Sequence, residues 1–534
     1  MASETAQPDL PLTVPGVLER AARRFGDAEA FVDGDRRPSF AQLADDVDEA
    51  ARALVGTGIE AGDRVAIWAP NMIEWAIAGL AVQRIGAVLV PLNTRYKGPE
   101  AADIIDRSGA RLLFTVTDFL DTDYVAMLGD RSAVPGLEEI VVLRGPHGDA
   151  ETTFDELLAR SIDVDASVTA ERAAAIDPDD VSDMLFTSGT TGRPKGAMLR
   201  HGASVRAFDA WASIVGLTEG DRYLVVNPFF HSFGLKAGIL ASLIVGATIV
   251  PHPVFDVTQV MQRVDEESIT MLPGPPAIYQ SILDHPDLSS FDLSTLRLAV
   301  TGAAAVPVEM IRRMRSELTF RTILTAYGLT EATGVVTVCR HDDDPETIST
   351  TSGRAIPDVE VRTVGEDGEP TPAGEPGEVV VRGYNVMAGY FGDEAATDEA
   401  IDDDGWLHTG DVGVLDADGY LRITDRTKDM FIVGGFNVYP AEIEGALLRH
   451  PSVGQAAVVG VPDHRMGEVG MAFVVLRPGT TLEPDELIAW ARDEMANFKV
   501  PRHVRIVDGL PMNASNKVLK FELRQRAAAD LGEA

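Results

Sequence analysis

From Arg64 to Ala326, short apolar runs alternate with stretches of helical spacing. That pattern restricts the chain to parallel strands joined by crossover helices. The runs predict strands at 64–68, 87–90, 111–114, 223–226, 247–250, 269–272, 297–300 and 322–326, with a helix between Asn71 and Gly86. From Gly353 the pattern changes to β-rich segments punctuated by Gly, Pro and Asp, at 359–362, 378–381 and 420–423, which predicts a small barrel or sheet beside the parallel sheets. Beyond Asp425-Arg-Thr-Lys-Asp429 a compact segment reads strand 430–433, helix 441–448, strands 456–459 and 472–475, helix 485–495, strand 504–507 and a last helix. The expected fold is α/β: a large N-terminal domain, 1–427, of several parts, and a small, mobile α+β C-terminal domain, 428–534.

At 534 residues and 45% hydrophobic content the chain has ample material for two or more cores. Its formal net charge of −37 argues against nucleic acids and anionic membranes as partners, because both repel it. Cys339 is the sole cysteine, which excludes an intramolecular disulfide and a Cys-based metal cluster. The N-terminal Met-Ala-Ser-Glu-Thr-Ala-Gln lacks the basic and apolar regions of a signal peptide, and no apolar run reaches membrane-spanning length. The expected compartment is the cytoplasm; a homodimer is left open.

Chemistry concentrates in a few segments. In Phe186-Thr-Ser-Gly-Thr-Thr-Gly-Arg-Pro-Lys-Gly196, glycines allow backbone N–H groups to approach an anion. The hydroxyls of Thr187, Ser188, Thr190 and Thr191 donate further hydrogen bonds, and Lys195 adds a point charge. The loop is no Walker A motif, since Pro194 stands where that pattern requires glycine. Tyr327-Gly-Leu-Thr-Glu331 follows an expected strand, at the end where open α/β sheets bind ligands. Trp406-Leu-His-Thr-Gly-Asp411 ends in a carboxylate suited to a pair of ribose hydroxyls, and Pro511-Met-Asn-Ala-Ser-Asn-Lys517 places one of few lysines in a polar loop. Each has a plainer use: His231 as a core histidine, Glu331 as a helix-start carboxylate, Asp411 as a turn residue, Lys517 as a surface lysine.

In this order and spacing the motifs resemble the adenylate-forming superfamily of acyl-CoA synthetases, luciferases and peptide-synthetase adenylation domains, over nearly the whole chain. The resemblance implies ATP, Mg²⁺ and coenzyme A. It gives the loop Thr187, Ser188, Gly189, Thr190, Thr191, Gly192 and Lys195 to the ATP phosphates, Tyr327 to the adenine, Thr330 to phosphate, Glu331 to Mg²⁺, and Asp411 and Arg426 to the ribose. Lys428 falls at the family's hinge, Lys517 at its adenylation lysine, Gly434 and Gly435 beside the pantetheine tunnel, and His231 at the aromatic gate. The implied catalytic set is Lys517, Thr187, Glu331 and His231, with Gly302, Ala303, Ala304, Ala326 and Gly328 lining the nucleotide and acyl region. Two departures stand out: Asn516 replaces the usual glycine before the lysine, and Ala326 the usual glycine before the tyrosine.

The implied activity is ATP-dependent thioester formation from a carboxylic acid. The segments 227–238, 272–280 and 324–332 resemble the actinobacterial synthetases that activate the propanoate side chain of the indane-dione left from steroid rings C and D. Phe229, Phe230 and Phe233 are expected to form an aromatic wall beside the small run 302–304. Medium-chain fatty acids, then aryl acids, are the alternatives for the substrate. An acyl-adenylate ligase loading a carrier protein is the alternative class, set lower because no carrier domain is expected after Ala534 and no long insertion separates Asp411 from Lys428.

Overall fold

The computed structural model describes residues 9–187, 193–302, 306, 308–365, 367–438 except 427–430, 440–477, 479–511, 518 and 520–532. The chain divides into two compact units, 1–94 with 105–185 and 196–424, and 95–104 with 186–195 and 425–534.

In the first unit Arg64–Trp68 pairs in parallel with Val88–Pro91 on one side and Ala110–Val116 on the other, and the latter pairs in parallel with Glu139–Arg144. All four residues of Val88–Pro91 are buried. Such strands can lie in the middle of a sheet only if both faces are covered. The helix Ile73–Arg84 supplies cover: every residue but Glu74 is buried, so it is apolar all round rather than amphipathic.

A second parallel group holds Arg222–Val225 beside Thr248–Pro251, and Leu298–Thr301 beside Thr322–Tyr327. The strand expected at 269–272 is not a regular one. It bridges Tyr223 and Leu298 at Met271 alone, because Pro273, Pro275 and Pro276 have no N–H with which to prolong the ladder. Since all of these neighbours run in parallel, Val225, Pro251, Thr301 and Tyr327 end along one edge.

The expected barrel or sheet is a four-stranded antiparallel sheet, in the order Val359–Val364, Pro376–Gly383, Leu407–Leu415, Leu421–Arg426. Val364, Val380 and Trp406 form its core, and the guanidinium groups of Arg362 and Arg382 lie 4.4 and 4.5 Å from the Trp406 ring centroid.

The second unit contains a five-stranded sheet of Phe431–Val433, Phe436–Val438, Val453–Asp463, Gly467–Leu476 and His503–Ile506. Helices Pro440–Leu447, Pro484–Glu494 and Lys520–Leu531 accompany it. The order follows the sequence expectation except for Phe436–Val438, which returns from a two-glycine hairpin: Gly434 and Gly435 have φ of 56° and 88°, values glycine adopts without steric cost. Among the described residues no helix is long and apolar enough to cross a membrane.

His201 opens the helix His201–Val215 in the core of the first unit, where its Nδ1 accepts a 3.3 Å hydrogen bond from Val14 N. Burial, joined by the Lys236 charge and opposed by Asp183, pushes its pKa down to about 4. The folded value lies below the unfolded value near 6.5, so the unfolded chain binds the extra proton first. Stability is therefore lost as pH falls from 6.5 towards 4, by about 3 kcal/mol. His201→Asn keeps an acceptor for Val14 N and removes the titration. Its urea midpoint should show a correspondingly smaller fall between pH 6.5 and 4 than that of the wild type.

Candidate active site

Thr322–Tyr327 ends at the carboxyl edge of its parallel sheet, and the turn beyond it is held very tightly. A Cβ on Gly328 would sit 2.3 Å from Gly334 O, so only glycine fits. A short 3₁₀ turn, Thr330–Ala332, carries Glu331, and Thr333 follows at φ 59°. That left-handed threonine is offset by a 2.6 Å hydrogen bond from its Oγ1 to Asn385 O. Fully buried Asn385 donates from Nδ2 to Val335 O at 2.9 Å and Ala332 O at 3.4 Å, while Met387 N donates to Glu331 O at 2.8 Å. Tyr390 OH then donates to Glu331 Oε1 at 3.0 Å. Residues 385–390 thus fix Glu331 through both backbone and carboxylate. Tyr390 itself is anchored by pairing with Ala197, in the strand that leaves the glycine-rich loop.

Tyr327 OH donates to Asp411 Oδ2 at 2.7 Å, which brings the two residues expected at adenine and ribose into one cluster. Asp411 reaches that position from a bulge. Glu378 faces Val412 and Val380 faces His408, so two steps along one strand oppose four along the other. Gly410, at φ 71°, takes the sharp bend. Glu378 stitches the bulge: Oε1 accepts from Gly410 N at 3.1 Å and Oε2 lies 3.0 Å from His408 Nδ1. The backbone of Asp411 is fixed by Thr409 Oγ1 at 3.1 Å.

Buried Asn71 gathers the loop before His231. Its Nδ2 donates to Val225 O at 3.0 Å and Asn227 O at 2.9 Å, and its Oδ1 accepts from Phe229 N at 2.7 Å. This loop turns Phe229 inward against Trp75 and Phe31, at 5.4 and 6.5 Å between centroids and with no exposure. Phe229 therefore belongs to the core and not to the expected wall. Phe233, half-buried, meets Trp211 edge-on at 5.8 Å. His231 is no core histidine. The residue is exposed, while surrounding protein desolvates the cation and lowers its pKa. Nδ1 accepts from Phe233 N at 3.2 Å, leaving the neutral ring's proton on Nε2. Gly302 follows the neighbouring strand, and a Cβ there would lie 2.9 Å from Ala326 O, so these two positions are in close backbone contact.

In the second unit Thr187 ends one strand and Lys195 begins the next, both half-buried. Arg426 ends the strand Leu421–Arg426. The Gly434–Gly435 turn packs on Met466, whose carbonyl accepts from Gly434 N at 2.8 Å. Ser188, Gly189, Thr190, Thr191, Gly192, Ala303, Ala304, Lys428, Lys517 and the side chain of Arg426 lie outside the described residues.

Asn71, Glu378, Asn385 and Tyr390 are the positioning residues that the sequence reading missed. The run Arg382-Gly-Tyr-Asn-Val-Met-Ala-Gly-Tyr390, with glycines, aromatics and an asparagine after an expected strand, carries the same signal that singled out 327–331. For Asn71 and Glu378 the signal is only a polar residue at the margin of an apolar element.

Tyr327, Glu331 and Asp411, with their hydrogen-bonded supports, thus lie at or just beyond the carboxyl edge of parallel strands, and His231 stands on the loop that Asn71 gathers. The chain belongs to the AMP-binding enzyme family, whose model matches residues 18–391, and the C-terminal domain of the same family matches 442–517. It is an AMP-forming acid–thiol ligase, an acyl-CoA synthetase that uses ATP and coenzyme A. Over 96% of its length it is 54% identical to the 3-[(3aS,4S,7aS)-7a-methyl-1,5-dioxo-octahydro-1H-inden-4-yl]propanoyl:CoA ligase of Rhodococcus jostii RHA1, covering 99% of that protein. It is 53% identical to the Mycobacterium tuberculosis ligase of the same name, covering 96% of this chain and 98% of that one. Among solved structures, an o-succinylbenzoate CoA synthetase of Bacillus subtilis bound to a product analogue matches with a TM-score of 0.81 and 29% identity, over 98% of this chain and 99% of that one.

Proposed function

We propose that this ligase activates a compact bicyclic propanoate bearing ring ketones, the indane-dione acid derived from steroid rings C and D. The observation that carries the reading is the identity of 54% and 53%, over nearly full length, to two ligases named for that acid. A structural feature supports it. Ser232 and Thr301 are buried, and their hydroxyls have no partner among the described residues. They belong to the segment after His231 and to the strand end before Gly302. A ketone oxygen gives such a hydroxyl an acceptor, whereas a hydrocarbon chain leaves it desolvated and unpaired.

The reaction has two halves. A carboxylate oxygen attacks the α-phosphorus of ATP and pyrophosphate leaves. The thiol sulfur of coenzyme A then attacks the acyl carbonyl and AMP departs with the oxygen that bridged to phosphorus. In the first half, Lys517, Lys195 and the hydroxyls of Thr187, Ser188, Thr190 and Thr191 stabilise charge moving across the phosphates, while Tyr327 and Asp411 hold adenine and ribose with Arg426. In the second half, the Gly434–Gly435 turn gives the pantetheine arm room and His231 gates its approach to the acyl group. Lys428, between 1–427 and 428–534, is the pivot that lets Lys517 and that turn act in succession.

Mg²⁺ fits this arrangement. Among the described residues no cluster of three or more His, Cys, Asp or Glu side chains forms a cation cage. Glu331 alone, oriented by Tyr390, would join the phosphate oxygens as ligand, the mode in which this ion is usually bound. When bound, the ion supplies neutralising charge to the phosphates.

The acid preference is tested by competition between acids at limiting enzyme. The bicyclic propanoate should show a kcat/KM at least about ten-fold above octanoate or palmitate, as its unpaired-hydroxyl recognition implies. A preference for linear chains would contradict the reading. Tyr390→Phe removes one orienting donor from Glu331. It should raise the Mg²⁺ concentration for half-maximal pyrophosphate release by about ten-fold, and weaken Mn²⁺ binding in the presence of ATP, read by paramagnetic resonance. Thioester formation from supplied acyl-adenylate should stay at the wild-type rate.

A further inference from the structure

Lys236 is a charged side chain that the reaction does not use, and it is 1% exposed. It lies in a π-helix, Phe233–Leu240, whose widened turn is seen in Ala241 N donating to Lys236 O five residues back. Such turns recur at functional sites, and this one begins two residues after His231. One face presses on the segment leading to that histidine. A Cβ on Gly234 would lie 2.0 Å from Pro228 O, and one on Gly238 would lie 2.8 Å from Val225 Cγ1. Lys236, two residues from each glycine, leaves the helix on the far side.

There its Nζ stands 3.0 Å from Asp183 Oδ2 and donates to Ser204 Oγ at 2.8 Å. Asp183, 1% exposed, also accepts from Ser182 Oγ at 2.6 Å through Oδ1. Asp183 belongs to Val181–Thr187, the strand that enters the glycine-rich loop. Ser204 belongs to His201–Val215, the helix that directly follows Lys195–Arg200, the strand that leaves it. A void of about 10 Å³ beside the pair, bounded by Val14, Leu80, Leu235 and Ile239, has room for no more than a water. The pair therefore serves no ligand of its own. Stability alone does not call for such a pair, because well-packed apolar residues commonly replace a buried ion pair at no loss.

We propose that Lys236 is a positioning residue that couples the acid and nucleotide sites: its ammonium ties the helix behind the His231 gate to both supports of the phosphate-binding loop. Filling the nucleotide site then raises affinity for the acid, and by reciprocity the acid raises affinity for nucleotide. The proposal rests on the two-site reading given under Proposed function.

The test is isothermal calorimetry of acid binding, with and without α,β-methylene ATP, on the full-length enzyme. In the wild type the analogue should tighten binding of the bicyclic propanoate by about ten-fold. The paired replacement Lys236→Met with Asp183→Leu should keep or raise the melting temperature and bring that factor to within about two of unity. A folded pair variant with the wild-type factor overturns the proposal, as does a wild type with no coupling. Should the pair variant fail to fold, Ser204→Ala removes a single hydrogen bond and should cut the factor by about three-fold. An unchanged factor there also overturns it. A wild type that binds linear acids but not the bicyclic one contradicts the substrate reading instead, and the coupling is then measured with the acid that binds.

Discussion

The hydrogen bonds that residues 385–390 send back to the turn after Thr322–Tyr327 are what the rest of the site depends on. The turn is too tight for a Cβ at Gly328 and passes through a left-handed threonine at 333, so local preference alone would not hold it. Asn385, Met387 and Tyr390 supply four donors to Glu331, Ala332 and Val335, and Asn385 O receives a fifth bond from Thr333. Each buried bond is worth about 1 kcal/mol, but breaking one strands a buried polar group at about twice that cost. The strap thereby converts a strained turn into a rigid mount. The same logic recurs at Asp411, where Glu378 fixes a bulge, and at the His231 loop, where Asn71 supplies three bonds. In all three places a polar side chain distant in sequence fixes the backbone under a candidate site residue.

The parallel strands were legible because a strand buried on both faces must be apolar throughout, as at Val88–Pro91. The segments read as nucleotide-binding stand out in the sequence because tight anion-binding turns need glycine and hydroxyl residues adjacent in the chain. The strap was not, because Tyr390 and Glu331 stand 59 residues apart and nothing local marks their meeting. The same holds for Asn71 and Phe229, separated by 158. Two errors also have physical sources. The run 269–272 has strand composition but is followed by prolines that cannot donate to a ladder. Phe229 was read as pocket lining because its neighbours are aromatic, yet the bonds of Asn71 turn it towards Trp75. Nor does any spacing rule announce the π-helix that carries Lys236.

The site does its work by arrangement rather than by covalent attachment. The carboxylate attacks as a nucleophile and must be held in line with the α-phosphorus, its carbonyl becoming an electrophile only once adenylated, and a preorganised donor in such a setting is worth about 3 kcal/mol of transition-state stabilisation. Rigid mounts for Glu331, Asp411 and His231 suit that demand, since they need no rearrangement when charge moves.

Everything in the site serves activation of the acid as an acyl-adenylate before thioester formation. Turnover of acid labelled with ¹⁸O in both carboxylate oxygens, with ATP and coenzyme A, tests it most directly by mass spectrometry of the products. One ¹⁸O is expected in AMP, one in the thioester carbonyl and none in pyrophosphate. Unlabelled AMP, or label in inorganic phosphate released with ADP, would contradict it.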